Sequence, residues 1–430
     1  MDVPYGPDKI RLQFPSTAGV SVDFLRSKAT APAVEKVGVA VLEALQTPIG
    51  TPPLEQMVSP DETVCIVTSD ISRPMPTASI LPPLVNYLTQ YLGLKCSNIH
   101  VVFALGIHRR HNPSEHERLL GRELTSAVSY QDSDPDTVVF VGRTPLGTPV
   151  EVTRSILEFD RIICLGNVEY HYFAGYTGGA KAILPGVCSH ETISCNHRRM
   201  LEKGVGPGQL QGNPVREDID AVLDLIQVDF IVNVVLNRDG GIAQVVAGHP
   251  LTAHRVATKR VDQMNRISID RRYDAVVASA GGFPKDIDLY QAQKALHHAA
   301  EFARPGAPIL LIARCSEGFG NEVMAKWFEA AESPSALMKR LLDGFELGGH
   351  KAAMIAQIVE QNPIWLCSDM AAENVRSAFL QPVDPPENGT LFVPPSFIKT
   401  ARANLSSRDQ LRIALLSEAG SALPVYNAYK

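Results

Sequence analysis

The residues of this 430-residue chain best suited to chemistry are cations and imidazoles that follow directly on apolar runs. Asp70 and Arg73 lie in SDISRPMPT (69–77), where Pro74 and Pro76 stiffen the turn that carries the arginine. A guanidinium there suits a planar carboxylate or a phosphate, which its fork grips at two points, and the plainer reading is a buried Asp–Arg pair. His108 follows VVFALG in LGIHRRH (105–111), whereas His111 and His116 fall on what reads as the polar start of a helix and are taken as structural. The segment NVEYHYFAGYTGGAKAILPG (167–186) adds His171 and Lys181 around a glycine-rich loop able to offer backbone amides to an anion. That loop is not a nucleotide triphosphatase phosphate loop, because its spacing from Gly175 is one residue short and no Ser or Thr follows the lysine. His190 and His197, seven apart in HETISCNH, lack the spacing of a zinc protease but can stand two turns apart on one helix. Cys188 and Cys195 are read as packing residues. Further on, Gln291 and Lys294, three apart at the start of a helical segment, share a face that suits a carboxylate.

Strands and helices must alternate to present these groups. TVCIVTSD, NIHVVFALG, DTVVFVGRT and RIICLGNV read as buried strands, separated by the helical segments TASILPPLVNYLTQYLG and HNPSEHERLLG. This alternation predicts a parallel α/β sheet, and ligands of such sheets collect beyond the carboxyl ends of the strands, where the three segments fall. FIVNVVLNRDGGIAQVVAGHP reads as a β-hairpin turning at Asp239-Gly240-Gly241, with LTAHRVATKRVDQM as a helix after it. At Tyr273 the alternation restarts through YDAVVASAGG, DIDLYQAQKALHHAAEFA, PILLIARC and NEVMAKWFEAA. The expected organisation is α/β, with two domains of mainly parallel sheets, 1–265 and 266–430, and an active site in the cleft between them. Residues 370–430 are expected to complete the second sheet. His350 and Lys351 read either as a surface helix end or as polar pocket residues.

Forty basic and 46 acidic side chains give a formal charge of −6 with no basic block, which argues against a nucleic-acid binder. No apolar run reaches membrane-spanning length and the first residues do not resemble a signal peptide, so a cytoplasmic, non-membrane protein is expected. Seven cysteines with no C-x-x-C pair indicate neither a disulfide framework nor a zinc ribbon.

Five segments taken together resemble the lactate racemase family, enzymes that use a nickel-pincer nucleotide. They are D-I-S-R-P-M-P from Asp70, G-I-H-R from Gly106, Y-H-Y-F-A-G-Y-T-G-G-A-K from Tyr170 to Lys181, Asn196-His197, and G-G-F-P-K-D-I-D-L-Y-Q-A-Q-K from Gly281 to Lys294. The resemblance runs in order from about residue 65 to 295 and is most specific between His171 and Lys181. It implies that Lys181 holds the cofactor, a pyridinium-3-thioamide-5-thiocarboxylic acid mononucleotide carrying nickel, with Asp70, Thr177, Gly178 and Gly179 around it. It implies His197 as the protein ligand to nickel, His108 and His171 as paired acid–base residues, and Arg73, Tyr290, Gln291 and Lys294 as substrate-binding residues. It also implies cofactor-building proteins as partners, without which the chain is an inactive apoprotein.

The implied chemistry is coherent. Removing the α-proton of a 2-hydroxy acid leaves a carbanion beside a carboxylate, whereas removing that hydrogen as hydride leaves a planar 2-keto acid that accepts it back on either face. The hydroxyl proton leaves in the same step, and two enantiomers present it differently, which calls for two histidines. Lactate, malate, phenyllactate and sugar acids such as gluconate are all open as substrates. Two other readings stand beside this one: a zinc-dependent lyase or hydrolase using His171, His190 and His197, and a non-catalytic anion-binding protein on the same scaffold. Oligomeric state is not legible.

Overall fold

The computed structural model describes residues 1–15, 19–26, 31–403, 405 and 410–426. The chain divides into two α/β units, Ala29–Met264 and a second made of Met1–Lys28 with Asn265–Lys430.

The sheet of the first unit has strands β1 (Val64–Ser69), β2 (Ile99–Ala104), β3 (Ser129–Asp132), β4 (Arg161–Asn167), β5 (Phe230–Leu236) and β6 (Ile242–Gly248). Their order is β6-β5-β4-β1-β2-β3, parallel except for the β5/β6 hairpin. Burial of both faces explains the unbroken apolar runs: Val64, Ile66, Ile163, Leu165, Phe230 and Val232 share one core cluster on one face, and Cys65, Val67, Ile162, Cys164 and Ile231 are buried on the other. Each such Val, Leu, Ile or Phe side chain contributes on the order of 1.5–3 kcal/mol by leaving water. The β5/β6 turn sits at the expected residues, with Gly240 at φ +83° and the Asn237 amide donating to the Gly241 carbonyl at 2.7 Å. The helix Pro113–Leu120 starts as its sequence predicts, with Asn112 and Glu115 forming a reciprocal cap and Pro113 in the first turn.

One expected strand lies elsewhere. DTVVFVGRT does not enter the sheet; Val138–Arg143 pairs antiparallel with Pro149–Thr153, and its residues are half-exposed. The edge position belongs to β3, whose sequence SYQD is short and polar, as an edge strand tolerates.

The second unit's sheet contains β7 (Ala275–Ser279), β8 (Ile309–Ile312), β9 (Ile364–Cys367), β10 (Gln381–Val383) and β11 (Leu411–Leu416), all parallel, in the order β10-β9-β8-β7-β11, followed by Val20–Leu25. Residues 370–430 thus supply two of its strands. The expected 1–265 domain is corrected here: Val20–Leu25 pairs with β11, and Asp8–Gln13 pairs with Thr390–Phe392, so residues 1–28 belong with the later part of the chain. The pairing is long-range and leaves no local mark in the sequence.

His350 and Lys351 are not a surface helix end. Both are about 3% exposed on the helix Gly349–Val359. The Lys351 ammonium donates to the Tyr290 carbonyl and lies 3.7 Å from the centroid of the Tyr290 ring. Burial pushes His350 down to about 3, and its ring stacks on Phe345 at 5.3 Å. Among the described residues no helix is long and apolar enough to cross a membrane.

Candidate active site

In the first unit the chain runs from β1 outward to β2 and β3, then returns to the other side of β1 as β4. The connections on either side of the β1/β4 pair therefore diverge, which opens a crevice beyond their carboxyl ends. A cleft lies there, lined by Ser69, Asp70 and Arg73 after β1, Ala104–Gly106 after β2, and Gly166, Asn167, Thr177, Gly178 and Lys181 after β4. All three segments singled out by the sequence meet in it.

Asp70 is the anchor of the first segment. Its carboxylate accepts the Ser72 amide at 2.7 Å, lies 3.2 Å from His108 Nδ1 and 3.8 Å from Arg73 Nε. Burial alone would raise the Asp70 carboxyl; the His108 ring, the Arg73 guanidinium and Ser72 outweigh it and hold it well below the carboxylate range. The bland Asp–Arg pair is therefore only part of the arrangement, and the closer partner of Asp70 is His108. With Nδ1 directed at a carboxylate, the neutral His108 ring keeps its proton there and carries its lone pair on Nε2, the state of a general base.

The glycine-rich loop differs from expectation. Its amides are largely spent inside the protein: Thr177 N–H donates to the Glu169 carbonyl at 2.9 Å, and Gly179 N–H to Asn233 Oδ1 at 2.9 Å. The glycines serve close approach instead. A Cβ on Gly178 would come within 2.9 Å of Asn233 Oδ1 and 2.7 Å of Val168, and one on Gly179 within 2.9 Å of the His254 ring. Asn233, a polar residue in the middle of FIVNVVL, was legible as an oddity in a buried strand but not as the loop's anchor. Packed in this way, the loop delivers Lys181 to the cleft. Burial, reinforced by the Arg73 and Arg216 cations, pushes the Lys181 amine down to about 7.

His171 lies on the short strand Tyr170–His171, paired with Gly175–Tyr176. The Ala174 amide donates to His171 Nδ1 at 3.2 Å, so the neutral ring carries its proton on Nε2. The Phe173 ring stands between two imidazoles, 4.4 Å from that of His171 and 4.8 Å from that of His197. His197 ends the helix His190–His197 and is 8% exposed. Its Nδ1 lies 3.1 Å from Asn196 Oδ1, which can only accept, so the lone pair of the neutral ring is on Nε2. Asn196 is itself held, its amide donating to Asp218 at 2.9 Å and to the Val215 carbonyl at 3.2 Å. Asp218 in turn accepts from the hydroxyls of Thr144 and Thr148. Orientation of an imidazole by a hydrogen-bonded carbonyl on its other nitrogen is the support a metal-ligating histidine needs.

Asp218 is fully buried and serves three donors. Asp218→Ala strands them, and we expect the apoprotein to lose about 2–4 kcal/mol of stability. Urea denaturation checks this, and a loss under about 0.5 kcal/mol would show the network to be slack.

The zinc reading loses its ligands. His190 is exposed at the start of its helix, whereas His197 is buried at the end, about 10 Å along the axis. Among the described residues the three-ligand group is a different one, His111, His116 and Asp132.

Tyr290, Gln291 and Lys294 belong to the second unit, on the helix Leu289–Phe302, capped by Asp288 accepting from the Gln291 amide at 2.7 Å. The expected shared face is present, with Lys294 Nζ donating to Gln291 Oε1 at 3.0 Å.

Family models for the lactate racemase N-terminal and C-terminal domains match residues 5–207 and 269–381. The lactate racemase of Thermoanaerobacterium thermosaccharolyticum is 28% identical over 393 residues, covering 89% of this chain and 91% of that protein. The lactate racemase of Lactiplantibacillus plantarum is 31% identical over 291 residues, 66% of this chain and 67% of that one. Among solved structures, the lactate racemase apoprotein from T. thermosaccharolyticum superposes with a TM-score of 0.85 at 25% identity over 99% of both chains. A Thermotoga maritima protein shares the fold, with a TM-score of 0.63 at 19% identity over 92% of this chain and 100% of that one.

Proposed function

The chain belongs to the lactate racemase family, and we propose that it inverts C2 of a 2-hydroxy acid, lactate first, with a nickel-pincer nucleotide held at Lys181. The observation that carries this reading is the meeting of a near-neutral lysine with Asp70, itself bonded to His108, in one cleft at the switch point of the sheet.

The residues present fit the group. An amine pushed down to about 7 is substantially unprotonated at neutral pH, as forming a thioamide requires. His197, oriented through Nδ1, has the Nε2 lone pair that a nickel ligand must offer. Thr177, Gly178 and Lys181 line the cleft, with Gly179 packed behind them. When bound, the nickel-pincer nucleotide supplies a reversible hydride acceptor.

The protein's own residues do the rest. Arg73 grips the carboxylate or cofactor phosphate, with Asp70 limiting its swing. His108 Nε2 takes the hydroxyl proton of one enantiomer and returns it, while Asp70 stabilises the charge that the ring acquires. His171 serves the other enantiomer. Within the second unit, Gln291 and Lys294 form a hydrogen-bonded cation of the kind that suits a carboxylate, and Lys351 holds the Tyr290 ring. His350 and Lys351 are committed to packing and to Tyr290, so they give no support to a substrate with added polar groups, and the lactate racemases among the relatives make lactate the first acid to test.

The test is expression beside the cofactor-building enzymes with nickel, using a known lactate racemase as loading control, then intact mass, peptide mapping and chiral chromatography of these four acids. A nucleotide-sized, sulfur-containing adduct on Lys181 with conversion of L- to D-lactate is expected. An unmodified Lys181 beside a fully loaded control would overturn the reading.

A further inference from the structure

We propose that His111 and Asp132, which take no part in the chemistry above, are positioning residues: a closed hydrogen-bond relay that sets the Asp70–Arg73 turn and, through it, His108. The proposal rests on reading His108 as an acid–base group.

The relay crosses three strand ends. His111, in the loop after β2, places Nδ1 2.6 Å from Asp132 Oδ1 at the end of β3, and its own amide donates to Asp132 Oδ2 at 2.8 Å. On the other side its Nε2 receives the Ile71 amide of the turn after β1 at 3.0 Å. Both side chains are buried, 1% exposed for His111 and 5% for Asp132. The Phe103 ring closes over the pair, its centroid 5.4 Å from that of His111.

The chemistry of the donors determines the tautomer. A backbone amide only donates, so His111 Nε2 must carry a lone pair, and the ring proton is on Nδ1, facing the carboxylate. Asp132 also takes His116 Nε2 at 3.0 Å. Burial alone would raise the Asp132 carboxyl, and its bonds from His116 and His111 outweigh that and hold it below the carboxylate range.

A metal reading competes for the same atoms, since one ligand atom from each of His111, His116 and Asp132 lies within 4.8 Å of the others. It fails on occupancy. His111 Nε2 is taken by the Ile71 amide, and Asp132 accepts three N–H groups, so a cation would have to break bonds already made inside the protein.

The consequence falls on Asp70. Within its turn, the Ser72 amide is held by Asp70 Oδ1 and the Arg73 amide by the Asp70 carbonyl at 3.1 Å. Both bonds are internal to the turn and do not fix where it sits on the protein. Of the amides of Ile71, Ser72 and Arg73, that of Ile71 is the one bonded outward, to His111; the turn's other outward bonds, from the Asp70 carboxylate and the Ser72 hydroxyl, end on His108 itself, the ring to be positioned. With that bond intact, the carboxylate stands 3.2 Å from His108 Nδ1. An error of about 1 Å in such a group costs on the order of 10²-fold in rate.

Two substitutions separate positioning from bulk stability. His111→Asn keeps a donor for Asp132 and loses the acceptor for Ile71, whereas His111→Gln restores an acceptor near the Nε2 position. In the full-length apoprotein, ¹⁵N spectra of the histidine rings should show His111 as the Nδ1–H tautomer. The Ile71 amide should exchange with solvent at least about tenfold faster in His111→Asn than in wild type or His111→Gln. In the loaded enzyme, kcat should fall about 10–100-fold in His111→Asn and return to within about threefold of wild type in His111→Gln. Equal activity of the two variants, an Nε2–H tautomer, or a stoichiometric metal ion lost in His116→Ala would overturn the relay. A loaded wild-type chain that racemises nothing would remove the proposed function instead, leaving the tautomer and the Ile71 exchange to decide whether the relay exists.

Discussion

Replacing Lys181 with methionine or arginine will leave a folded chain that gains no nucleotide mass and loses racemisation by at least about 10³-fold, whatever the acid supplied. The argument rests on the unprotonated amine. An ordinary lysine is neutral in roughly one molecule in three thousand at pH 7, whereas an amine pushed down to about 7 is neutral in about half. Arginine keeps the charge and can never present a free amine, so its failure isolates the nucleophile from the cation. The same shift makes a stability prediction. The unfolded chain holds its lysine proton up to about pH 10.4, the folded one only to about 7, so between these values the unfolded state binds more protons. Stability of the apoprotein must therefore rise with pH across that window, by up to about 1.4 kcal/mol per unit from this one group, and Lys181→Met should flatten the rise and stabilise the protein at pH 7. Urea denaturation at pH 7 and pH 9.5 measures it. A steeper rise in the variant, or an adduct of the same mass on another lysine, would remove Lys181 from the centre of the site.

Much of this site was legible because strand ends are legible. Runs such as TVCIVTS and RIICLGN announce buried parallel strands, and whatever polar residue follows them falls at the carboxyl edge; Asp70, Arg73, His108 and Lys181 were found in that way. Pattern failed where it was ambiguous or long-range. VVFVGR reads as a core strand by composition, yet it forms a half-exposed hairpin, because apolar content does not say which partner covers it. SYQD carries no strand signal, so Asp132 escaped notice and its partner His111 passed for a solvated helix start. The pairing of Val20–Leu25 with Leu411–Leu416 joins residues almost a chain length apart, and no window of sequence contains both. The glycines of GYTGGAK pointed to the right loop for a reason the structure extends: they allow close packing against Asn233 and His254, and the Thr177 and Gly179 amides are bonded inside the protein. The identity of the cofactor was never in the spacing. A lysine, three histidines and an arginine are compatible with several chemistries, and only the family resemblance selects nickel.

Alanine at His108 or at His171 will lower kcat/KM by about 10²–10⁴-fold, and by the same factor for both enantiomers. The equality follows from the reaction. Two enantiomers of one acid have equal free energy in water, so the equilibrium constant is one and the two values of kcat/KM are locked together in every variant. The two histidines nonetheless enter in different states. His108 donates a hydrogen bond from Nδ1–H to Asp70 and offers Nε2 as an acceptor, whereas His171 accepts the Ala174 amide at Nδ1 and carries its proton on Nε2. In these resting states His108 is set to take a hydroxyl proton at Nε2, whereas His171 presents an Nε2–H that can hydrogen-bond a substrate oxygen and must change tautomer before it acts as base for the other enantiomer. This asymmetry is free to appear in kcat and KM taken singly, where the constraint applies only to their ratio. Progress curves from pure D- and pure L-lactate, run with wild type and both variants, give all four constants. A variant that retains its full kcat/KM would strike that histidine from the mechanism. A product other than the opposite enantiomer would release the constraint and with it the assignment of the reaction as a racemisation, because an acid–base pair of unlike tautomers also suits a one-way conversion.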